Sequence, residues 1–132
     1  MDNELLKEHC LTIENRIHNA MFQAAINNCT MLLRTFPKHH LGYYYLGVCY
    51  FALEEYEKAL KNYNLTLLIN PVYSKAYFNL GVTYFMLNSF DSALINIGKA
   101  LILFSRIKDE KSKERCIQAI KTIQEIREEK ET

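Results

Sequence analysis

The chain is 132 residues long, 49% apolar and 23% charged, with 16 basic against 15 acidic side chains and a net charge of +1. That is ordinary globular composition for one domain. The balance excludes a general electrostatic pull toward nucleic acid or an anionic membrane. No apolar run approaches the roughly 18–20 residues that a membrane span needs, and the opening MDNELLKEHC is charged, unlike a secretory leader. A cytoplasmic protein is expected.

Taken in chain order, the apolar periodicity predicts seven helices, at about 4–18, 22–34, 40–53, 56–69, 74–87, 90–103 and 109–130. The connections are short, so neighbouring helices run antiparallel. The only prolines, Pro37 and Pro71, stand 34 residues apart and close the second and fourth helices. The same step relates Tyr43 to Tyr77, Leu46 to Leu80, Gly47 to Gly81, Tyr50 to Tyr84 and Ala59 to Ala93. Coincidences of this number at one offset define an internal repeat, and a repeat decides the architecture. Repeats span 6–39, 40–73 and 74–107. The first is degenerate: it keeps Phe22, Ala25 and Pro37, but His9, Thr12 and Ile13 stand in the aromatic, Leu and Gly places. Ser105 takes the third proline place, so the sixth helix is expected to end less sharply. Asn88 falls between the predicted fifth and sixth helices, and Asn tolerates the left-handed conformation that turns often use.

Gly47 and Gly81 sit inside helices, where Gly costs roughly 1 kcal/mol against Ala. That cost is tolerable where a second helix must come close. Residues 109–130 break the repeat. Their apolar residues are Cys116, Ile117, Ile120, Ile123 and Ile126, among seven acidic and seven basic residues between Lys108 and Glu131. This is the composition of a helix that covers the last repeat with one face and meets water with the other.

The run Tyr43-x2-Leu46-Gly47-x2-Tyr50, then Ala59-x3-Tyr63 and Pro71, with its echo from Tyr77 to Ile97, resembles the tetratricopeptide repeat. The resemblance implies an all-α fold, a right-handed α-solenoid of three helix-turn-helix repeats plus a capping helix, forming a single domain over 1–132. It implies further that the first helix of each pair lines a concave surface. On a wheel at 100° per residue, Tyr43, Leu46, Gly47 and Tyr50 share one face of residues 40–53. Leu41, Tyr44, Tyr45, Val48 and Ala52 lie roughly opposite. In 74–87, Phe78, Val82 and Met86 lie across from Tyr77, Leu80, Gly81 and Tyr84, with Phe85 toward one edge and Lys75 and Asn79 as polar members. The expected peptide-binding groove is therefore Leu41, Tyr44, Tyr45, Val48, Lys75, Phe78, Asn79, Val82, Phe85 and Met86. Such a surface suits an extended or helical peptide with hydrophobic anchors. A second copy of the chain is the alternative occupant, and the terminal helix a third.

One subgroup of the family grips C-terminal carboxylates of heat-shock chaperones through a Lys and Asn on its first helix, an Asn on the third and a Lys/Arg pair on the fifth. The matching places hold Cys10 and Glu14, then Tyr45, then Lys75 and Asn79. Only Lys75 fits, and Glu14 would repel a carboxylate, so that mode is rejected.

Nothing points to an enzyme, a cofactor or a metal. There is no Gly-rich phosphate loop, no G-x-S-x-G and no H-E-x-x-H. His39 and His40 share a predicted turn, and His9 and Cys10 diverge by about 100° on a helix. None of Cys10, Cys29, Cys49 and Cys116 forms a C-x-x-C pair, and all read as small buried hydrophobes in a reducing compartment. The expected role is a non-enzymatic adaptor or chaperone-like module for a protein or peptide partner. Proteins of this size that look similar include bacterial secretion chaperones. The rival is a self-associating scaffold; RNA binding is disfavoured by the lack of basic residues on the first helices.

Overall fold

The computed structural model describes residues 2–132. It contains α1 (Asp2–His18), α2 (Phe22–Thr35), α3 (His40–Ala52), α4 (Tyr56–Ile69), α5 (Ser74–Met86), α6 (Phe90–Arg106) and α7 (Glu110–Glu131), with no strand among the described residues. The all-α class is as expected, and most helix limits fall within a residue or two of the predicted ones. The chain forms two compact units, one ending at Pro71 and the other Val72–Thr132.

Four turns share one backbone solution. Ala20, Glu54 and Asn88 have φ of 57°, 61° and 61°, and Lys108 has φ of 59°. The first three are spaced by the repeat step, so the degenerate first repeat keeps the geometry its sequence disguises. At each, two hydrogen bonds close the preceding helix. At Glu54 its own N–H donates to Phe51 O (2.9 Å) and the next N–H, of Glu55, to Tyr50 O (2.9 Å). The same pair recurs at Asn88, where Ser89 N–H reaches Tyr84 O (2.9 Å), and at Lys108, where Asp109 N–H reaches Phe104 O (3.0 Å). This is the Schellman cap, which satisfies orphan carbonyls and usually places Gly at the left-handed site. No glycine of this chain has positive φ.

The proline turns differ. Phe36 and Asn70, which precede Pro37 and Pro71, leave the helical region at φ −127° and −129°, as a following proline favours. With Ser105 in the third place, α6 runs on to Arg106, beyond the predicted limit, and Ser105 Oγ donates to Leu101 O (2.8 Å).

In the first unit the core comprises Cys10, Ile13, Cys29 and Leu32 beside Ala25, Ile26 and Cys49. The α3 and α4 helices come into close contact at Gly47. A β-carbon there would lie 2.5 Å from Tyr63 Cε1. The repeat equivalents of this pair in α1 and α2 are Ile13 and Cys29, both fully buried. A large residue on one helix and a small one on the other have exchanged places, so the summed volume stays near constant and packing density survives.

In the second unit α5 and α6 repeat the contact at Gly81. A β-carbon there would overlap Ile97 Cγ1 and lie 3.0 Å from the Ala93 carbonyl oxygen. Ala93, Ile97, Ala100 and Phe104 of α6 form one core with Cys116 and Ile123 of α7. The last helix thus caps α6 with Cys116 and Ile123, while Ile120 packs from the side. Ile117, expected on the covering face, is 40% exposed instead. The far end of α7 is fastened to the turn between α5 and α6. Arg127 Nη1 pairs with Asp91 Oδ1 (2.9 Å), Lys130 Nζ donates to Asn88 Oδ1 (3.1 Å), and Lys130 also sits 5.3 Å from the Phe90 ring centre.

Candidate functional site: the apolar faces of two helices

In the first unit, α3 carries Leu41, Tyr44, Tyr45 and Val48, all half-buried. The helix begins where Leu41 N–H donates to His39 Nδ1 (3.2 Å). It contains no acidic residue and no Lys or Arg; only glycines and Cys49 are fully buried. Its large side chains are therefore all partly open to water. They are not equally free. Leu41 and Tyr45 pack against the core of α1 and α2, and Tyr45 makes a hydrogen bond with the Cys10 thiol. Burial pushes that thiol up from its ordinary value, helped by the charge of Glu14 and opposed by the Tyr45 bond. The Tyr44 ring stands 5.7 Å from Tyr45 and 6.0 Å from Tyr63. Val48 lies outside the core clusters.

In the second unit, α5 carries Lys75, Phe78, Asn79, Val82, Phe85 and Met86. Lys75 and Met86 are exposed and the other four half-buried. Phe78 and Phe85 also pack on the α6–α7 core, and Phe85 tilts against Phe90 at 5.8 Å. The Asn79 carbonyl accepts from Thr83 Oγ1 (2.7 Å). Val82 and Met86 stay outside the core cluster. So none of the ten residues expected to form a groove is fully buried, and four of them also hold helices together.

Sequence reasoning missed the contribution of α7. Arg115 lies over the Phe78 ring at 5.0 Å. Asp109 accepts from Ser112 N–H (3.1 Å) as the α7 N-cap, and Lys75 is close enough to help hold its carboxyl below the usual carboxylate range, behind the Ser112 bonds as the main cause. The available signal was the i,i+4 pair Lys111 and Arg115 one side of the buried Cys116.

The titratable groups elsewhere are structural. Cys29 donates to Cys49; that bond and burial raise the Cys29 thiol, while at Cys49 the bond lowers the thiol against the opposing effect of burial. All four cysteines are free and buried. His39 and His40 stack at 4.9 Å, and burial lowers both below the free histidine value. Among the described residues no three His, Cys, Asp or Glu side chains converge as a metal site. No described helix is long and apolar enough to cross a membrane.

With this geometry established, known proteins provide the class. Residues 40–73 match the tetratricopeptide repeat family. The structure is similar to the type III secretion translocator chaperone SycD of Yersinia enterocolitica, with TM-score 0.87 at 14% identity over 97% of this chain and 89% of that one. It is similar to PcrH of Pseudomonas aeruginosa in complex with the chaperone-binding region of PopD, with TM-score 0.86 at 17% identity over 96% of each chain. It is also similar to the TPR2B domain of yeast Sti1 in its pHsp70 complex, with TM-score 0.84 at 16% identity over 91% of this chain and 96% of that one. At these identities the likeness shows the fold, which is that of tetratricopeptide-type helical repeat proteins. No curated protein matches the chain in sequence.

Proposed function

We propose that this chain is a non-enzymatic interaction module, adaptor or chaperone-like, that binds a hydrophobic peptide segment or helix. Its contacts are Leu41, Tyr44, Tyr45 and Val48 in the first unit and Lys75, Phe78, Asn79, Val82, Phe85 and Met86 in the second. The chain is taken as a single domain that acts in the cytoplasm. The observation that carries this reading is the state of α3 and α5. Between them they hold one Lys, no Arg and no carboxylate, yet, the buried Leu80 apart, their large apolar side chains keep partial exposure. A helix apolar all round and open to water on one side is a face waiting for cover. The reading is supported by neighbours of the same fold that are in complex with segments of other proteins, PcrH with PopD and SycD with a YopD peptide.

Self-association through the same faces is the alternative. It has its own observation in SycD, which is found in an alternative dimer. Sedimentation over a concentration series, with and without an array-selected apolar peptide, separates the two. A monomer that binds the peptide supports the first reading. A dimer that peptide does not dissociate supports the second.

A further inference from the structure

The peptide-binding reading leaves the polar character of the partner open, and α7 supplies an answer to it. Phe78 has one cation on its ring and a second one turn away along α5. Lys75 lies one turn before it on α5, and the Arg115 guanidinium covers its ring at 5.0 Å. Both cations are exposed, and neither forms an ion pair or side-chain hydrogen bond among the described residues. A guanidinium lying on a ring keeps its N–H donors at its edge, so the contact with Phe78 does not consume them. The nearby acids are already engaged. Asp109 accepts from Ser112 N–H, and Glu114 Oε1 accepts from Gln118 Nε2 (3.3 Å). Lys111, in reach of Asp109, adds a further positive charge at the start of α7.

We infer that the α5 face selects a segment carrying an acidic side chain next to the apolar one that meets Phe78, with Arg115 and Lys75 receiving the carboxylate. This rests on the peptide-binding reading and refines it. An aliphatic anchor covering Phe78 would strip water from Arg115 as well. A cation losing its hydration without gaining a partner opposes binding, whereas a carboxylate at the anchor's flank restores the lost interaction. The pairing is partly exposed, so it tunes selectivity more than it sets affinity. Arg115 and Lys75 are thus specificity-determining residues, and one of them lies on the capping helix outside the repeats.

The test uses the full chain and three labelled peptides of equal length with identical leucine anchors, whose flanking positions are Asp, Ser or Lys. The inference predicts that the Asp peptide binds about three- to tenfold tighter than the Ser peptide, and the Lys peptide weakest. Arg115→Gln, and separately Lys75→Gln, should bring the Asp and Ser peptides together by lowering the Asp peptide's affinity more than the Ser peptide's, in variants that stay folded by circular dichroism. Added salt should weaken the Asp peptide alone. Equal binding of Asp and Ser peptides overturns the inference and leaves the hydrophobic reading standing. So does an Asp preference that survives both substitutions. If no peptide binds, the peptide-binding reading falls and this inference with it.

Discussion

At Gly81 the α5 backbone approaches α6 so closely that a single methyl group has nowhere to go. Its neighbours are Ile97 and the Ala93 carbonyl, and the carbonyl belongs to a helix and cannot swing aside. Gly81→Ala should therefore cost about 1–3 kcal/mol by overpacking. Gly98, also helical, meets nothing within 4 Å. Gly98→Ala should instead gain about 0.5–1 kcal/mol by removing unfolded-state freedom. Urea denaturation of the two variants checks the opposite signs. A complementary effect is expected at Glu54, whose φ of 61° penalises any β-carbon; Glu54→Gly should stabilise by about 0.5 kcal/mol, the left-handed cost less glycine's added freedom. The histidine pair makes a pH prediction. Burial lowers His39 and His40, and the charge of His39 lowers His40 further across the stack. The unfolded chain takes up these protons near pH 6.5 while the folded chain does not, so stability is complete above about pH 6.5 and is lost as pH falls through the lower folded values. His39 Nδ1 must also be unprotonated to accept from Leu41. His39→Asn keeps a capping acceptor and should shrink the drop in melting temperature between about pH 7.5 and 5.5 that brackets the free value.

Helix by helix, legibility followed the repeat. Gly47, Gly81, the prolines and the small Ala59 and Ala93 announce their elements because each answers a steric demand that recurs every 34 residues. The first repeat hides the same geometry behind Ile13 and Cys29. Its exchange of large for small makes sense only once the two are known to touch. The end of α6 was harder to place because Ser105 accepts helix geometry where Pro would refuse it. The candidate faces were visible from the wheel, since all ten residues keep some exposure. Their second duty was not. Leu41 and Tyr45 lean on α1 and α2, and Phe78 and Phe85 on the α6–α7 core, through contacts between elements that no periodicity encodes. The capping helix gives its own prediction. Deleting residues after Arg106 should uncover Ile97, Ala100 and Phe104, lower the melting temperature and promote aggregation. Ile95, already 58% exposed, adds nothing to that change. A truncated chain as soluble and as stable as the parent would mean that α7 is a free tail. The Arg127–Asp91 pair is exposed on its acidic side, and Arg127→Ala should cost under about 1 kcal/mol.

For the whole molecule, function turns on whether the open apolar faces of α3 and α5 are a binding surface or loosely covered core. Val48 and Val82 decide this better than Tyr45, because neither belongs to a core cluster and both keep partial exposure. The most direct measurement is a binding titration of a leucine-anchored peptide against the parent and the Val48→Glu/Val82→Glu double variant, with circular dichroism melting and sedimentation on the same samples. The account predicts a folded, monomeric variant whose melting temperature falls by no more than about 5 °C and whose affinity drops at least tenfold, because each glutamate would be buried unpaired against an apolar anchor. Unchanged affinity in a folded variant, or a variant that unfolds outright, would contradict it.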